Sequence, residues 1–179
     1  MFRFENVPYT FNISEEASIG DIVGQVSYSG DIGSISFTQV ANSQSQGPLP
    51  FETNSSGFIL VDPQSGSLDF ESIAQYDFTI QAKEGLNIVD TASVHVDLLN
   101  ENDELPLFTV DAITLYFPYM GSRVSEDISS YCIDEDAAPY NEHIFTSTTE
   151  SIPEFTVSNT GIIRRVQDCL LYTSDAADE

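Results

Sequence analysis

Apolar and polar residues alternate along two segments near the middle of the chain. In residues 76–82 and 92–98 every second residue is apolar, and each residue between them is polar. Successive side chains of a β-strand point to opposite faces, so this period predicts two strands that are each buried on one face. No segment of comparable length has apolar residues at helical spacing, and clusters of Gly, Asn, Ser and Asp-Pro separate the apolar runs. The pattern predicts an all-β chain folded as an antiparallel β-sandwich.

The chain also contains an internal repeat with an offset of 104 residues. At this offset the segment FETNSSGFI, residues 51–59, aligns with FTVSNTGII, residues 155–163. The same offset places the alternating segment 9–13 over the alternating segment 113–117. Two corresponding strands therefore begin two corresponding units, which is typical of tandem domains.

The repeat defines the predicted domain organisation. We expect a complete unit at residues 1–108 and the first part of a second unit at residues 109–168, without the strands that would complete its sheets. Because a partial unit buries less apolar area, the second unit should be marginally stable alone. The last eleven residues, 169–179, resemble the conceptual translation of a sequencing adapter, and we interpret them as an artefact outside the fold.

The charge balance is strongly acidic. Five Lys and Arg residues stand against twenty-nine Asp and Glu residues, giving a formal net charge of −24. Such a chain repels nucleic-acid phosphates and anionic lipid headgroups, so we expect neither as a partner. On composition alone, two interpretations of the acidic excess remain open. It either forms a solvated acidic surface or holds divalent cations that turn the repulsion into a cross-link.

The sequence predicts neither a membrane-spanning segment nor a secretion signal within these residues. No stretch approaches the roughly 18 apolar residues that cross a bilayer. The start Met1-Phe2-Arg3 is not followed by the apolar core of a secretion signal. We therefore expect neither an anchor nor a signal peptide within these residues.

Acidic and amide residues concentrate in four short motifs. They are Ile13-Ser-Glu15-Glu16, Leu68-Asp69-Phe70-Glu71, Asn100-Glu-Asn-Asp-Glu104 followed by Pro106 and Phe108, and Asp134-Glu-Asp136 with Asn141. In their order and spacing these motifs resemble the cadherin repeat. The resemblance covers the whole first unit and, more thinly, part of the second. It implies a tandem of immunoglobulin-like antiparallel β-sandwich repeats of the cadherin type, of which the second is truncated.

The resemblance also implies a calcium site built by two domain ends and the linker between them. Calcium takes six to eight oxygen ligands at about 2.3 to 2.6 Å, which is more than one loop usually supplies. By family likeness, the first unit and the linker would hold the nearer ions, with Asp136 bridging, while the linker and the second unit would hold the farther one. The implied metal-site residues are Glu15, Asp69, Glu71, Asn100, Glu101, Asn102, Asp103, Glu104, Asp134, Asp136 and Asn141.

Several positions depart from the family pattern. Asn100 replaces the usual Asp, which keeps an oxygen but removes a charge, so we expect weaker binding. Glu104 replaces the usual Asn at a position expected to contribute its main-chain carbonyl, so we expect this change to be tolerated. Tyr119 occupies the position that corresponds to Glu15, which argues against a complete site at the far end of the second unit.

The function implied by the resemblance is calcium-dependent cell–cell adhesion. Bound Ca²⁺ would stiffen the joint between tandem repeats. The expected partners are other cadherin-like ectodomains, either homophilic or heterophilic. The parent protein would be membrane-anchored and would present these repeats on the extracellular face of the plasma membrane.

Two other classes of function compete with adhesion. Asp69 and Glu71 could serve as acid and base on a glycoside, but two acids at one strand end suit that geometry poorly. The sequence offers no Ser paired with a His, no zinc-like His cluster and no Gly-rich phosphate loop, so we expect no enzyme. A calcium-independent immunoglobulin-like spacer or carbohydrate-binding module stays open as the alternative.

The remaining singular residues have ordinary explanations. Cys132 and Cys169 are too few for a disulfide framework, and Cys132, which aligns with Tyr28, is expected to be a buried, unreactive thiol. His95 and His143 are expected to be unremarkable. The triplets Asn12-Ile-Ser14 and Asn54-Ser-Ser56 are glycosylation sequons, which have meaning only if the chain is secreted.

Overall fold

The computed structural model describes six stretches of the chain and shows strands throughout them. The described residues are 1–30, 33–42, 48–62, 67–117, 125–147 and 155–166. Within these ranges the only helical element is one short 3₁₀ turn. The chain divides into two compact units, Met1–Asp103 and Glu104–Glu179. Residues 169–179, interpreted above as an artefact, lie outside the described residues.

The first unit contains nine described strands, of which seven form two main sheets and two form a separate pair. The strands are β1 Arg3–Glu5, β2 Tyr9–Ser14, β3 Ile22–Gln25, β4 Ser27–Ser29, β5 Ile35–Ala41, β6 Phe51–Thr53, β7 Phe58–Val61, β8 Gln75–Glu84 and β9 Asn87–Leu99. The main sheets have the orders β2-β9-β8-β5 and β3-β7-β6, and β1 pairs separately with β4.

The core of this unit follows the alternation seen in the sequence. In residues 76–82 of β8 and 92–98 of β9 the apolar positions are buried, with Phe78, Ile80 and Val96 fully so, and the polar positions between them are more exposed. Phe51 of the other sheet stacks on Phe78 with ring centroids 5.8 Å apart. Each such buried side chain contributes roughly 1.5 to 3 kcal/mol relative to an exposed one. The all-β prediction and the two predicted strands are confirmed.

One strand pair departs from the antiparallel prediction. β2 runs parallel to β9, with Tyr9 opposite Val94 and Ser14 opposite Leu99 over six residue pairs. The other described pairs of the first unit are antiparallel. Parallel strands need a long connection, and the chain between β2 and β9 supplies it through the rest of the unit. As a consequence, β2 and β9 end together at the same end of the unit.

The described part of the second unit is a smaller set of strands. The elements are β10 Leu107–Phe108, β11 Ser125–Asp127, the 3₁₀ turn Ser129–Tyr131, β12 Cys132–Ile133, β13 Phe155–Val157 and β14 Ile162–Arg165. β10 pairs with β12, and β14 lies between β11 and β13, all antiparallel. Among its described residues, Ile128 is the one apolar side chain classed as buried.

The internal repeat predicted from the sequence is confirmed in the backbone. β13 and β14 begin and end 104 residues after β6 and β7. Gly57 and Gly161, which close the two turns, have the same φ of 80°. The two units also share a second pair, because Phe4 faces Tyr28 and Phe108 faces Cys132.

Two expectations for the second unit were wrong. Residues 113–117 were expected to form a strand, yet the structure assigns none there, although their exposure still alternates. In the first unit the corresponding strand, β2, pairs with β9, whose counterpart at this offset lies beyond the 179 residues of the sequence. Cys132 was expected to be buried but is only half-buried, because its short strand pairs with Phe108, which is itself exposed.

Candidate metal centre

The centre of the candidate site is Glu15, the residue directly after β2. Its backbone N–H donates to the carbonyl of Leu99 at 3.2 Å, which extends the contact between β2 and β9 by one residue. The side chain is buried, with 3% exposure. The parallel pairing thus holds one carboxylate in the end of the sandwich, next to the start of the segment that leaves β9.

Backbone N–H groups from two distant segments hold the Glu15 carboxylate. Oε2 accepts a hydrogen bond from Phe70 N at 2.6 Å, and Oε1 accepts one from Glu101 N at 2.7 Å. Burying a charged group is costly unless it is hydrogen-bonded, and these two donors offset that cost. Glu15 therefore joins three segments of the first unit: the end of β2, the stretch before β8, and the stretch after β9.

Two further carboxylates converge on Glu15. One oxygen each from Glu15, Glu71 and Asp103 lie within 4.8 Å of one another. Two oxygens bound to the same Ca²⁺ lie at most about 5 Å apart, twice the usual Ca–O distance. The spacing and the purely oxygen chemistry of this group therefore fit a hard divalent cation such as calcium. We refer to Glu15, Glu71 and Asp103 as the carboxylate triad.

Asp69 is not part of the carboxylate triad. It is exposed, and its carboxylate accepts hydrogen bonds from the backbone N–H and the hydroxyl of Ser72, both at 2.7 Å. Its carbonyl accepts a further bond from Ile73 N at 3.0 Å. Asp69 thus closes a local turn that leads into β8, and its role as a ligand stays a prediction.

The segment after β9 is tied to the end of β2. Ser14 Oγ donates to Glu101 Oε1 at 2.9 Å and accepts a hydrogen bond from Glu16 N at 3.2 Å. Asn100 and Glu101 are half-buried, whereas Asn102 and Asp103 are exposed. Ser14 is not among the site residues predicted from the sequence, although its position directly before Glu15 was a signal that it could contribute to the site.

The second unit contains its own buried carboxylate. Asp136 is 2% exposed, its Oδ1 accepts a hydrogen bond from Glu104 N at 3.3 Å, and its backbone N–H donates to Asp134 Oδ1 at 3.2 Å. Its Oδ2 is buried and accepts no hydrogen bond within the described residues. Leaving such an oxygen unsatisfied is costly, so the site suits a cation. Asn141 is exposed, just beyond a turn closed by Tyr140 N and the carbonyl of Ala137.

His95 was expected to be unremarkable, but it lies between two carboxylates in the first unit. Its Nδ1 is 2.8 Å from Asp77 Oδ1, and its Nε2 is 3.0 Å from Asp97 Oδ1. The hydrogen bond to Asp77 is the largest influence and raises the pKa of His95 above its usual value. Position 77 lies opposite position 95 across β8 and β9. The sequence alone does not reveal this contact, because it depends on the register of the two strands.

Comparison with known proteins places these features in a family. No family model matches the chain. Among curated proteins, the chain is 34% identical to Cadherin-4 of Caenorhabditis elegans over 128 residues, covering 70% of this chain and 3% of that protein. It is 25% identical to human Protocadherin Fat 1 over 150 residues, covering 80% of this chain and 3% of that protein.

The fold has relatives among solved structures. The crystal structure of Drosophila N-cadherin EC1-4 superimposes with a TM-score of 0.69 at 19% identity, covering 98% of this chain and 42% of that one. At this identity the likeness concerns the fold alone. No helix within the described residues is long and apolar enough to cross a membrane. The curated relatives, the ordered acidic motifs and the shared fold together show that the chain belongs to the cadherin family and is built from cadherin repeats.

Proposed function

We propose that the chain is part of an extracellular cell–cell adhesion protein and that it binds calcium through the carboxylate triad and the segment 100–104. The observation that carries the proposal is the convergence of the three carboxylate oxygens within 4.8 Å. These groups are far apart in the sequence, and they meet because β2 and β9 run parallel to the same end of the unit. Bound calcium would order the segment that connects the two units.

The electrostatics of the triad favour a bound cation over a bare acidic surface. At 4.8 Å each pair of charges repels by about 1 kcal/mol in water and by about 3 to 4 kcal/mol at an effective dielectric constant of about 20. A divalent cation held by the same oxygens reverses the sign of this contribution. Several such ions bound to the folded protein would offset part of the net charge of −24 in the same way.

The second unit supplies a separate reason to expect metal. Asp136 keeps one buried oxygen without a hydrogen-bond donor among the described residues. We infer that this oxygen is a cation ligand, with Asp134 beside it on the same segment. The main-chain carbonyls of Glu104 and Asn141 complete the set that the family likeness implies.

Family membership supports a proposal for the biological role. The chain spans about 3% of the length of the two curated relatives described above, so the activity of a whole protein is a proposal here. We infer that the parent is membrane-anchored, that these repeats lie outside the cell, and that their partners are other cadherin-like ectodomains. Calcium at roughly 10⁻⁴ to 10⁻³ M, the range typical of extracellular modules, would keep the connection between repeats stiff enough for adhesion.

The direct test is a calcium titration followed by thermal unfolding. We expect calcium to raise the melting temperature of the chain relative to chelator, because an ion that binds only the folded state stabilises it. E71Q and D103N each remove one charge from the triad and should weaken the apparent calcium affinity by about tenfold or more, the equivalent of about 1.4 kcal/mol. E16Q makes the same change beside the triad and should shift the affinity by less than about twofold.

The outcomes separate the candidate functions. A melting temperature that is identical in millimolar calcium and in chelator would reject the proposal and favour the calcium-independent module. An equal loss of affinity in E16Q and D103N would show that calcium responds to overall charge rather than to the triad.

A further inference from the structure

The turn between β6 and β7 carries one of the two sequons, Asn54-Ser-Ser56. We propose that Asn54 is an attachment site for an N-linked glycan. This inference rests on the proposed extracellular function, because the modification takes place in the secretory pathway. The glycan site does not depend on the calcium site, since the turn joins β6 and β7 and therefore belongs to a different sheet from β2 and β9.

The side-chain oxygen of Asn54 already has a structural role. Oδ1 accepts hydrogen bonds from Ser56 N at 2.9 Å and from Phe58 N at 3.1 Å. The backbone closes the same turn, with Asn54 N donating to the carbonyl of Phe58 at 2.9 Å and Gly57 N donating to the carbonyl of Asn54 at 3.0 Å. The orientation of the amide is therefore fixed by its oxygen.

The side-chain nitrogen of the half-buried Asn54 has no hydrogen-bond partner among the described residues. Nδ2 donates no hydrogen bond to the described part of the chain, and it is not among the buried polar atoms that lack a partner there. Ser55 and Ser56, which follow it, are exposed. A glycan is attached through Nδ2 and leaves Oδ1 as an acceptor. The turn can therefore carry the modification without losing either of its side-chain hydrogen bonds.

The equivalent turn of the second unit shows that this geometry does not require an asparagine. There Ser158 occupies the position of Asn54, and its Oγ accepts a hydrogen bond from Ile162 N at 2.9 Å. Ser158 N donates to the carbonyl of Ile162 at 2.9 Å, and Gly161 N donates to the carbonyl of Ser158 at 3.1 Å. A hydroxyl oxygen is thus sufficient for the turn, so the turn does not need the side-chain nitrogen of Asn54.

The other sequon has a structural explanation for its third residue. The hydroxyl of Ser14 in Asn12-Ile-Ser14 donates to Glu101 and accepts from Glu16 N, which accounts for a hydroxyl residue there whether or not Asn12 is modified. Within the described residues the hydroxyl of Ser56 has no such role, because Ser56 uses only its backbone: its N–H donates to Asn54 Oδ1, and its carbonyl accepts a hydrogen bond from Gln25 Nε2. We therefore assign the glycan to Asn54.

The chemistry is a glycosyl transfer. The donor class is an oligosaccharide linked through a diphosphate to a lipid. The bond between the anomeric carbon and the diphosphate oxygen breaks, and its electron pair leaves with the diphosphate. A carbon–nitrogen bond to Asn54 Nδ2 forms, and Nδ2 gives up one proton to a base of the transferase.

The test is to produce the full chain behind a secretion signal in cultured animal cells, with a known sequon in a C-terminal tag. Site occupancy is measured by mass spectrometry after peptide N-glycosidase, which leaves Asp where a glycosylated Asn stood. We expect Asn54 to be occupied in the wild type. N54S keeps a turn oxygen, as Ser158 does, and S56A keeps Asn54; both should lower the occupancy of position 54 at least tenfold, whereas S55A should leave it unchanged.

An unmodified Asn54 in wild-type chains whose tag sequon is occupied would overturn the proposal. This result is independent of the calcium proposal, which is tested on unglycosylated protein from bacteria. Occupancy of Asn12 alone would also overturn the assignment. A calcium response that survives while Asn54 stays bare would reject the glycan site and leave the adhesion proposal intact.

Discussion

At the scale of single residues, the first unit is organised by buried or half-buried polar groups with defined partners. Glu15 links three segments through one carboxylate, and a loss of that carboxylate would leave the N–H groups of Phe70 and Glu101 without their acceptor. Removing one partner of a buried hydrogen bond costs about 1 to 3 kcal/mol. Glu15 therefore has a structural role in addition to its proposed role as a ligand, which is why Glu71 and Asp103 are the better positions for testing the metal.

His95 is a second residue whose behaviour follows from its geometry. A neutral imidazole has one N–H donor, whereas the protonated ring has two. Since Asp77 and Asp97 each face one ring nitrogen, only protonated His95 can donate to both. On β2, the strand on the other side of β9, the residues opposite positions 95 and 97 are Thr10 and Asn12, which carry no charge.

This arrangement predicts a pH-dependent contribution to stability. The hydrogen bond that His95 donates to Asp77, and the one that it donates to Asp97, raise the pKa of His95 in the folded state above its usual value of 6.5. The stabilisation should therefore be fully present below about pH 6.5 and should be lost as the pH rises through the higher folded-state pKa. Both carboxylates are half-exposed, so we expect a change of less than about 1 kcal/mol.

The measurement is the free energy of unfolding of the wild type minus that of H95Q, at pH 5.5 and at pH 8.5. Taking the difference removes the pH dependence that comes from the other acidic groups. The free energy of unfolding of the wild type should exceed that of H95Q by more at pH 5.5 than at pH 8.5. An equal advantage at both pH values would contradict the prediction.

The residues of the site were predicted to different degrees. Glu15, Glu71 and Asp103 were selected through the family likeness, and the structure brings their oxygens together. The local turn made by Asp69 was not foreseen, because an acid followed three residues later by a serine can serve a turn or a metal equally well. The contacts of His95 were not foreseen either, since they depend on cross-strand register.

At the scale of elements, alternation was enough to predict β8 and β9, because each has one face in the core. It could not predict that β2 joins β9 in parallel, since periodicity within a strand says nothing about the direction of its neighbour. It was misleading for residues 113–117, where the exposure alternates without a paired strand. In the first unit the corresponding strand, β2, is paired with β9, and alternation within a segment cannot show whether such a partner is present.

The β6–β7 turn gives a prediction at this scale. Gly57 has a φ of 80°, and a Cβ placed on it would lie 3.0 Å from Val26 Cγ2 and 3.1 Å from Tyr28 Cε1. Substitution by Ala meets both the strain of a positive φ and these close contacts, so G57A should lower the free energy of unfolding by about 2 kcal/mol.

Gly20 provides a matched control for that substitution. Its φ is 88°, but a Cβ there would meet no atom within 4 Å. G20A should therefore lower the free energy of unfolding by about 1 kcal/mol, because only the strain of a positive φ acts there. Chemical denaturation of both variants measures the difference. A loss in G20A as large as that in G57A would show that the contacts with Val26 and Tyr28 are unimportant.

At the scale of the whole molecule, the two units differ in how many apolar side chains their described residues bury. The first has a core of many buried apolar residues, whereas the described part of the second buries one, Ile128. All three members of the carboxylate triad belong to the first unit, Met1–Asp103. Calcium binding by the triad should therefore not require the second unit to be folded.

A shortened chain of residues 1–108 tests this directly. It should unfold in one cooperative transition, and calcium should still raise its melting temperature, with a lower affinity if Asp134 and Asp136 contribute ligands in the longer chain. Calorimetry with and without calcium provides the measurement. A fragment that folds but shows no calcium-dependent shift would place the essential ligands outside the first unit.

The parallel pairing of β2 and β9 has a mechanical consequence. One strand lies near the beginning of the first unit and the other at its end, and they are joined side by side over six residue pairs. If a pulling force acts on the two ends of this unit, it draws the strands past each other along their length. The hydrogen bonds between them then share the load at once rather than opening one after another. The same ladder that positions Glu15 would therefore make the unit resist tension, a property that would suit the adhesion role proposed above.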